Sequence, residues 1–301
     1  MSKTKILISN VDTYLHKYLY KIGELIPRLP LVNKFLEPPL TALFRKIRHA
    51  YLPNPVTTND FTFYYCPDDT SLAFQLFRGD YEKETMVVFK SLVRSGMTVV
   101  DLGANIGYYA INAARLVGSV GRVYAFEPNA PIYQILLKNV TANKCDNIII
   151  SVPKAAWSEN AVLSFWNDAK DPGSSSVFRT HHHQQTNRVD AIKLDDFFKQ
   201  KDWPDVHVIK MDIEGAEKAA LQGMRGLIER NQDIKLIMEF NPGIQKGIGM
   251  KYNELIDELI EIGFRKISVI KNGLHPMNIP DDIHSLVKIA GTHFVNVLCE
   301  K

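Results

Sequence analysis

The amino-acid sequence predicts an α/β protein with a doubly wound, mostly parallel sheet and a helical extension at its N-terminus. From Met97 onward, short apolar runs alternate with segments of helical periodicity, which is typical of a parallel sheet. A glycine-containing turn joins the first of these apolar runs to a helical segment. The last apolar run, 293–299, follows what reads as a loop, so we expect that strand to be antiparallel.

The composition is that of a globular domain with an extension. Hydrophobic residues make up 46% and charged residues 23% of the 301 positions. The apolar run near the start is too short for a secretory signal, and no stretch approaches the roughly 20 apolar residues of a membrane-spanning helix. Cys66, Cys145 and Cys299 lie far apart, which favours neither a zinc site nor a disulfide framework. We therefore expect a cytoplasmic protein.

Residues 1–55 are predicted to form a basic, amphipathic helical extension. Apolar residues recur at helical spacing over 11–26, and Pro27, Pro30 and the pair at 38–39 interrupt the pattern. Residues 1–50 contain nine Lys and Arg against three acids, so the rest of the chain sums to −3. Such helices either lie peripherally on an anionic membrane or pack on the domain or on a second subunit. The acidic body argues against a nucleic-acid partner.

Residues 56–301 are predicted to form the main domain, which begins with a β-hairpin. The arms of this hairpin are 61–65 and 72–76, and a helix over 81–93 follows. A second hairpin with a long polar loop is expected within 160–192. The strands of the main sheet are predicted at 98–102, 122–126, 147–152, 206–211, 235–240 and 265–270. The helices between them are predicted at 108–117, 131–142, 217–230 and 251–262.

The turn after the first strand has the composition of a nucleotide-type ligand site. It reads Asp101-Leu102-Gly103-Ala104-Asn105-Ile106-Gly107. Glycines permit a tight turn and a close approach of a ligand to the backbone. Glu127 ends the next strand, where a carboxylate can accept both hydroxyls of an adenosine ribose. The acid before the glycines, and the polar residues among them, favour S-adenosylmethionine over a dinucleotide.

Several motifs together resemble the FkbM-type methyltransferases. They are Gly79-Asp80-Tyr81-Glu82-Lys83-Glu84, the turn at 101–109, Phe126-Glu127-Pro128-Asn129, Lys210-Met211-Asp212-Ile213-Glu214-Gly215-Ala216-Glu217 and Met238-Glu239-Phe240. The resemblance spans about residues 75–245. It implies a Rossmann-like class I methyltransferase sheet with an antiparallel last strand. It also implies O-methyl transfer from S-adenosylmethionine to hydroxyls of sugars, polyketides and other natural products.

The resemblance also implies which residues bind the cofactor. It carries contacts over to Asp101, Gly103, Asn105 and Glu127, and Gly107 and Pro128 complete the predicted set. The adenine base is expected near Ala156 and Trp157, which follow the third strand. Trp157 is equally well explained as a core aromatic residue, so its role stays open.

The acidic run at 210–217 supplies the candidate catalytic residues. It lies at the carboxyl end of a central strand, where open α/β sheets bind ligands. Methyl transfer needs alignment and a group that removes the acceptor proton, and Asp212 is the candidate base. Glu214 and Lys210 complete the predicted catalytic set. No metal is favoured, although Asp212 with Glu239 could hold a divalent cation such as Mg²⁺.

The acceptor site is expected in the loops. Ser174, Ser175, His182 and Asn241 are candidate substrate contacts, with 181–183 in a polar lid over the site. The sequence therefore predicts an O-methyltransferase for a sugar, glycan, lipid-linked or natural-product hydroxyl. The alternatives are an N- or protein methyltransferase, and a membrane-surface or interaction protein with a degenerate methyltransferase fold. Homo-oligomerisation stays open.

Overall fold

The computed structural model describes residues 48, 52–58, 60–167, 175–179, 185–291 and 294–301. Most of the predicted basic extension, including residues 1–47, lies outside these residues, and so do Ser174 and His182. Arg48 is buried, and its guanidinium lies 4.4 Å from the centre of the Phe74 ring. At this position the extension packs on the domain. Within the described part of the chain, no helix is both long and apolar enough to cross a membrane.

The elements fall into four groups along the chain. The first group precedes the main sheet: β1 (Val56–Thr57), β2 (Thr62–Phe63), α1 (Thr70–Arg78) and α2 (Lys83–Leu92). The second alternates: β3 (Thr98–Leu102), α3 (Tyr108–Val117), β4 (Arg122–Phe126), α4 (Ala130–Ala142) and β5 (Ile149–Val152). The third is an insertion: β6 (Ala155–Trp157), β7 (Ala161–Asn167), β8 (Gln185–Lys193) and α5 (Leu194–Lys199).

The fourth group completes the main sheet. It contains β9 (Val208–Met211), α6 (Glu217–Gly223), α7 (Arg225–Arg230), β10 (Lys235–Phe240), α8 (Pro242–Gly247), α9 (Tyr252–Glu261), β11 (Lys266–Ile270), β12 (Leu274–Met277), α10 (Ile283–Ala290) and β13 (Val295–Glu300). The predicted helix over 217–230 is therefore two helices, which meet at Met224.

The main sheet has eight strands in the order β12-β11-β13-β10-β9-β3-β4-β5. The neighbours from β10 to β5 are parallel, whereas β13 is antiparallel to both β10 and β11. This confirms the predicted Rossmann-like sheet with an antiparallel last strand. Apolar side chains of α1 to α4 pack on one face, and those of α5 to α7, α9 and α10 pack on the other. Because both faces are covered, the parallel strands are apolar along their length.

Two sequence expectations about local structure are wrong. Residues 72–76 belong to α1 and not to a hairpin arm, because the Asp69 side chain caps the helix by accepting from the Leu72 amide at 3.0 Å. The short hairpin that does form is β1 with β2. The last strand also follows a helix, α10, and not a loop. Its orientation was correctly expected, but the cause is its insertion between β10 and β11.

The smaller sheet has the order β6-β8-β7. β7 and β8 are antiparallel, which confirms the hairpin predicted within 160–192. β6 pairs with β8 in parallel and follows β5 directly, so it joins the two sheets. This insertion lies next to the carboxyl end of β4, and it supplies one wall of the site described below.

Asn139 ties the N-terminal segment to the glycine turn. Its fully buried side chain accepts the Tyr64 amide at 2.6 Å and donates to the carbonyls of Tyr64 and Ile106, each at 2.8 Å. Ile106 belongs to the turn after β3. A single α4 side chain therefore holds the segment just after β2 in a fixed position relative to the turn.

We expect Asn139→Leu to lower the free energy of unfolding by about 3 kcal/mol, because buried polar groups lose their partners. Urea unfolding of the purified protein measures this change. Gln134→Ala, on an exposed position of the same helix, is the control, with an expected change within about 0.5 kcal/mol. Equal stability of the two variants would show that the hydrogen bonds of Asn139 do not stabilise the fold.

Candidate functional site

A cavity of about 290 Å³ opens where four neighbouring strands end. The acids at or just after these carboxyl ends are Asp101 (β3), Glu127 (β4), Asp212 (β9) and Glu239 (β10), and all four line the cavity. The chain continues from β3 to β4 and β5 on one side of β3 and later returns to form β9 and β10 on the other side, so the cavity lies at the switch point of the sheet. The structure thus brings together the acids that the sequence placed at strand ends.

The turn after β3 lies directly against the loop after β9. The Asp212 amide donates to the Leu102 carbonyl at 3.0 Å. Gly103 has φ +78°, and a Cβ at this position would overlap the carbonyl oxygen of Asp212. Glycine is therefore required both by its backbone angle and by this contact. Gly107 lies deeper, against Leu136, and is not among the residues that line the cavity.

Glu127 holds the turn from the side of β4. Its two carboxylate oxygens accept the amides of Asn105 at 2.9 Å and Asn129 at 2.8 Å. Burial raises the pKa of Glu127 to about 7, against the opposing effect of these two backbone bonds. Pro128 lines the cavity beside it. Each carboxylate oxygen keeps a second lone pair, so Glu127 can still accept hydroxyl groups of a ligand.

Asp101 presents a buried oxygen to the cavity. Its Oδ2 has no hydrogen-bond partner among the described residues. Burial raises the pKa of Asp101 to about 7, although the charge of Lys210 and the Ala110 amide act in the opposite direction. Buried polar atoms are rarely left unpaired. An unpaired carboxylate oxygen at a cavity wall therefore indicates a site for a donor group of a bound molecule.

Lys210 lies at the centre of the acidic groups. Its side chain is 1% exposed, and its Nζ is 3.5 Å from Oδ2 of Asp212. Burial alone would lower the pKa of Lys210, but nearby carboxylates outweigh it and raise the pKa; they are Asp212, Glu82, Glu239 and Asp101. The Lys210 ammonium also lies 5.0 Å from the centre of the Tyr109 ring. Lys210 is thus the positively charged group among these acids.

Glu239 and Asn241 form a unit at the end of β10. Burial, together with the charges of Asp212 and Glu214, raises the pKa of Glu239 well above its usual value. The Asn241 side chain donates to Glu239 at 3.1 Å and caps α8 by accepting the Ile244 amide at 3.1 Å. Asn241 does not line the cavity. The structure therefore places this predicted substrate contact behind Glu239, where it orients that side chain.

Glu214 and Glu217 differ in their positions. Glu214 lines the cavity, and its carbonyl accepts the Ser176 hydroxyl at 2.6 Å. Glu217 is buried at the start of α6 and accepts the Gly215 amide at 3.2 Å. Burial raises the pKa of Glu217 to about 7, and it is not among the lining residues. Glu217 is thus placed to support the loop from behind.

The insertion lines the side of the cavity next to Glu127. Ala156 and Ser175 are among its lining residues, and Phe165 and Val177 add apolar surface. Trp157 is not among them; its ring lies 6.0 Å from that of Phe178. The structure therefore favours the interpretation of Trp157 as a packing residue.

Glu82 and Phe294 line the cavity, but sequence analysis gave neither a role. Glu82 belongs to a run that carried the family resemblance, and this was its only signal. It has φ +42°, and it accepts the Tyr109 hydroxyl at 2.7 Å and the Asn296 side chain at 3.3 Å. Phe294 falls within the predicted last strand, 293–299, whereas the observed β13 begins one residue later, at Val295, and no motif marks Phe294.

The described residues contain no group of three or more His, Cys, Asp or Glu side chains arranged to hold a metal ion. The pair proposed for a cation, Asp212 and Glu239, has the Lys210 ammonium beside it. These two carboxylates therefore belong, with Lys210, to a cluster of ion pairs, which we call the ion-pair cluster.

Sequence comparison gives two matches. The model of the methyltransferase FkbM domain matches residues 101–266, which is more than half of the 301-residue chain. The hexuronic acid methyltransferase AglP of Haloferax volcanii is 25% identical over 146 residues, which cover 48% of this chain and 56% of that protein. The chain thus matches little more than half the length of this curated relative.

Comparison with solved structures gives further matches at low sequence identity. An S-adenosylmethionine-dependent O-methyltransferase of Thermotoga maritima has a TM-score of 0.43 and 14% identity, covering 73% of this chain and 65% of its own. A precorrin-6y C5,15-methyltransferase of Geobacter metallireducens has a TM-score of 0.41 and 12% identity, covering 73% and 89%.

We expect Asp101→Asn to stabilise the ligand-free protein more at pH 8 than at pH 5. Because the pKa of Asp101 is raised on folding, its contribution to stability is lost as the pH rises through about 7. Asparagine does not ionise, so the gain in unfolding free energy should grow by on the order of 2 kcal/mol between these pH values. Urea unfolding at both pH values measures it.

The exposed Asp60→Asn is the matched control and should show no such pH dependence. An Asp101→Asn gain of equal size at pH 5 and pH 8 would contradict the assignment of a raised pKa to Asp101.

Proposed function

Because the chain belongs to the FkbM methyltransferase family and is an S-adenosylmethionine-dependent methyltransferase, we propose that it methylates a hydroxyl oxygen. The acceptor class is a sugar, glycan, lipid-linked or natural-product hydroxyl. The observation that carries the proposal is the position of Asp212. Its carboxylate is 27% exposed at the cavity, whereas Asp101, Glu127 and Glu239 are buried. Among the four strand-end acids, Asp212 is thus the one most open to an acceptor.

Asp101 and Glu127 fit the donor molecule. The unpaired Oδ2 of Asp101 would accept from the ammonium group of its methionine part. Glu127 would accept from the ribose hydroxyls, and Gly103 and Asn105 give the turn its shape. Ala156 and Phe165 would face the adenine base. When bound, S-adenosylmethionine supplies a methyl group carried on a positively charged sulfur.

Asp212 would accept the proton of the acceptor hydroxyl as the oxygen becomes methylated. A hydroxyl oxygen is a weak nucleophile, and a positioned base typically contributes about 10²- to 10⁴-fold to such a step. Lys210 holds one oxygen of Asp212 at 3.5 Å, which leaves the other oxygen to the acceptor. Glu214, in the same loop, would accept a second hydroxyl and orient the ring. In this arrangement Asp212 acts as the base, and its neighbours align the acceptor with the methyl group.

The carbohydrate part of the proposal has support from sequence similarity. The hexuronic acid methyltransferase AglP, by its name, acts on a sugar acid. The carboxylates at the cavity accept hydrogen bonds, which suits a methyl acceptor that is rich in hydroxyl groups.

We expect Asp212→Asn to reduce kcat by about 10²- to 10⁴-fold, because asparagine cannot take up the proton. Its dissociation constant for S-adenosylmethionine, measured by calorimetry, should stay within about threefold of wild type, which is under 1 kcal/mol. The exposed Asp233→Asn is the control and should keep full turnover. Undiminished turnover of Asp212→Asn with a good acceptor would eliminate Asp212 as the base.

The bond type is tested with tritium-labelled S-adenosylmethionine and a mixture of glycans, glycolipids and small polyols. Methyl ethers and N-methyl groups survive mild alkali, whereas methyl esters release labelled methanol. The mixture is therefore chosen to be free of amino groups, so that alkali-stable label in it is a methyl ether. We expect label that is stable to alkali in a sugar-containing fraction. Label recovered only as methanol, or only in protein, would refute the proposed hydroxyl acceptor.

A further inference from the structure

Phe294 is an exposed aromatic side chain at the mouth of the cavity. It is 50% exposed, and it is among the lining residues. Other large apolar side chains of the described chain are also exposed, but none of them lines the cavity; they are Val87, Val120, Leu137, Ile150, Val162, Leu274 and Ile289. Leaving a phenyl ring half in water is unfavourable. Because Phe294 is the one of these exposed side chains that lies at the cavity, a bound molecule can cover it.

The antiparallel last strand carries Phe294 to the acceptor side of the site. Val295 pairs with Phe240, so Phe294 lies just beyond the carboxyl end of β10. One position further along the same ladder, Asn296 pairs with Glu239. Phe294 thus joins Asp212 and Glu239 at one end of the cavity, whereas Glu127 and Ala156 lie on the side of β4 and the insertion.

The charge of the cavity bears on the acceptor. Its described lining contains seven acids and two lysines: Asp69, Glu82, Asp101, Glu127, Asp212, Glu214 and Glu239 against Lys154 and Lys210. Lys210 is already surrounded by carboxylates, and burial, together with the charges of Asp212 and Glu214, raises the pKa of Glu239. Another negative charge in this environment would be repelled. The donor molecule, which has a positive sulfur, is attracted by the same charges.

We propose that Phe294 is the stacking platform for the acceptor and that this acceptor is an uncharged sugar ring. The inference rests on the proposed function and names its substrate class. A pyranose has an apolar face of C–H groups that can cover a phenyl ring, while its hydroxyls point outward. With one face on Phe294, such a ring directs its hydroxyls toward Asp212 and Glu214. A uronate, the class of sugar that the name of AglP gives for that protein, would bring its carboxylate into the acidic cavity, so the inference separates this chain from that relative in acceptor charge.

Phe294 also lies outside the part of the chain that the family model matches, which ends at residue 266. Phe294 is half exposed, so its replacement removes little core packing. Variants at this position can therefore fold and bind the donor while they differ in acceptor binding. This makes the residue a direct test of specificity.

The experiment is saturation-transfer difference NMR on the full chain with S-adenosylhomocysteine present. The probes are the methyl glycosides of glucose, mannose and fucose, and methyl glucuronide as the charged counterpart. We expect transfer to ring protons of at least one neutral glycoside and weaker transfer to the glucuronide. Phe294→Ala and Phe294→Leu should weaken neutral-glycoside binding about fivefold, and Phe294→Trp should retain it.

Leu274→Ala removes another exposed apolar side chain, away from the cavity, and should leave the signals unchanged. Calorimetry with S-adenosylmethionine checks that every variant keeps its donor site. Transfer that survives both Phe294→Ala and Phe294→Leu overturns the inference alone, and so does stronger binding of the glucuronide. Absence of transfer to any glycoside overturns both the role of Phe294 and a sugar acceptor. If alkali-stable label then appears in a non-sugar fraction, the proposed methylation of a hydroxyl still stands and only the sugar inference fails.

Discussion

The site depends on one buried charge, the ammonium group of Lys210. Moving an ammonium out of water costs several kcal/mol unless opposite charges surround it. Here the opposite charges come first from Asp212 after β9 and Glu82 before α2, and Glu239 in β10 and Asp101 in β3 add to them when they are ionised. The dependence is mutual, because these carboxylates repel one another and are themselves buried or half-buried. The ion-pair cluster therefore fixes the ends of the central strands relative to the N-terminal segment.

The N-terminal segment completes the site and is more than an attachment to the sheet. Glu82 adopts a left-handed backbone conformation, which is unfavourable for a residue with a side chain. The Tyr109 hydroxyl and the Asn296 side chain hold its carboxylate, and they belong to α3 and β13. Asn139 fixes the segment just after β2 to the turn in a similar way. Elements that precede and follow the central strands thus converge on one cavity.

The sheet could be predicted from sequence because its strands are buried on both faces and read as continuous apolar runs. The strand-end acids could be grouped because the carboxyl ends of parallel strands meet at one edge. The prediction of a strand at 72–76 was wrong because a short apolar run fits the periodicity of either a strand or a helix. The Asp69 side chain caps this segment, which favours the helix. Glu82 and Phe294 could not be found, since the first depends on a hydrogen bond from α3 and the second on the insertion of β13 between two distant strands.

The site draws both on the region that the family model matches and on the segments that flank it. Asp101, Glu127 and the loop of Asp212 lie within residues 101–266, where the family model matches. Glu82 and Phe294, which also line the cavity, lie before and after that region. Because Asp101 and Glu127, the proposed donor contacts, belong to the matched region, a change in a flanking segment can leave the donor site intact. Our proposal for Phe294 thus assigns part of acceptor binding to a flanking segment, next to strands whose ends the central ion-pair cluster holds in place.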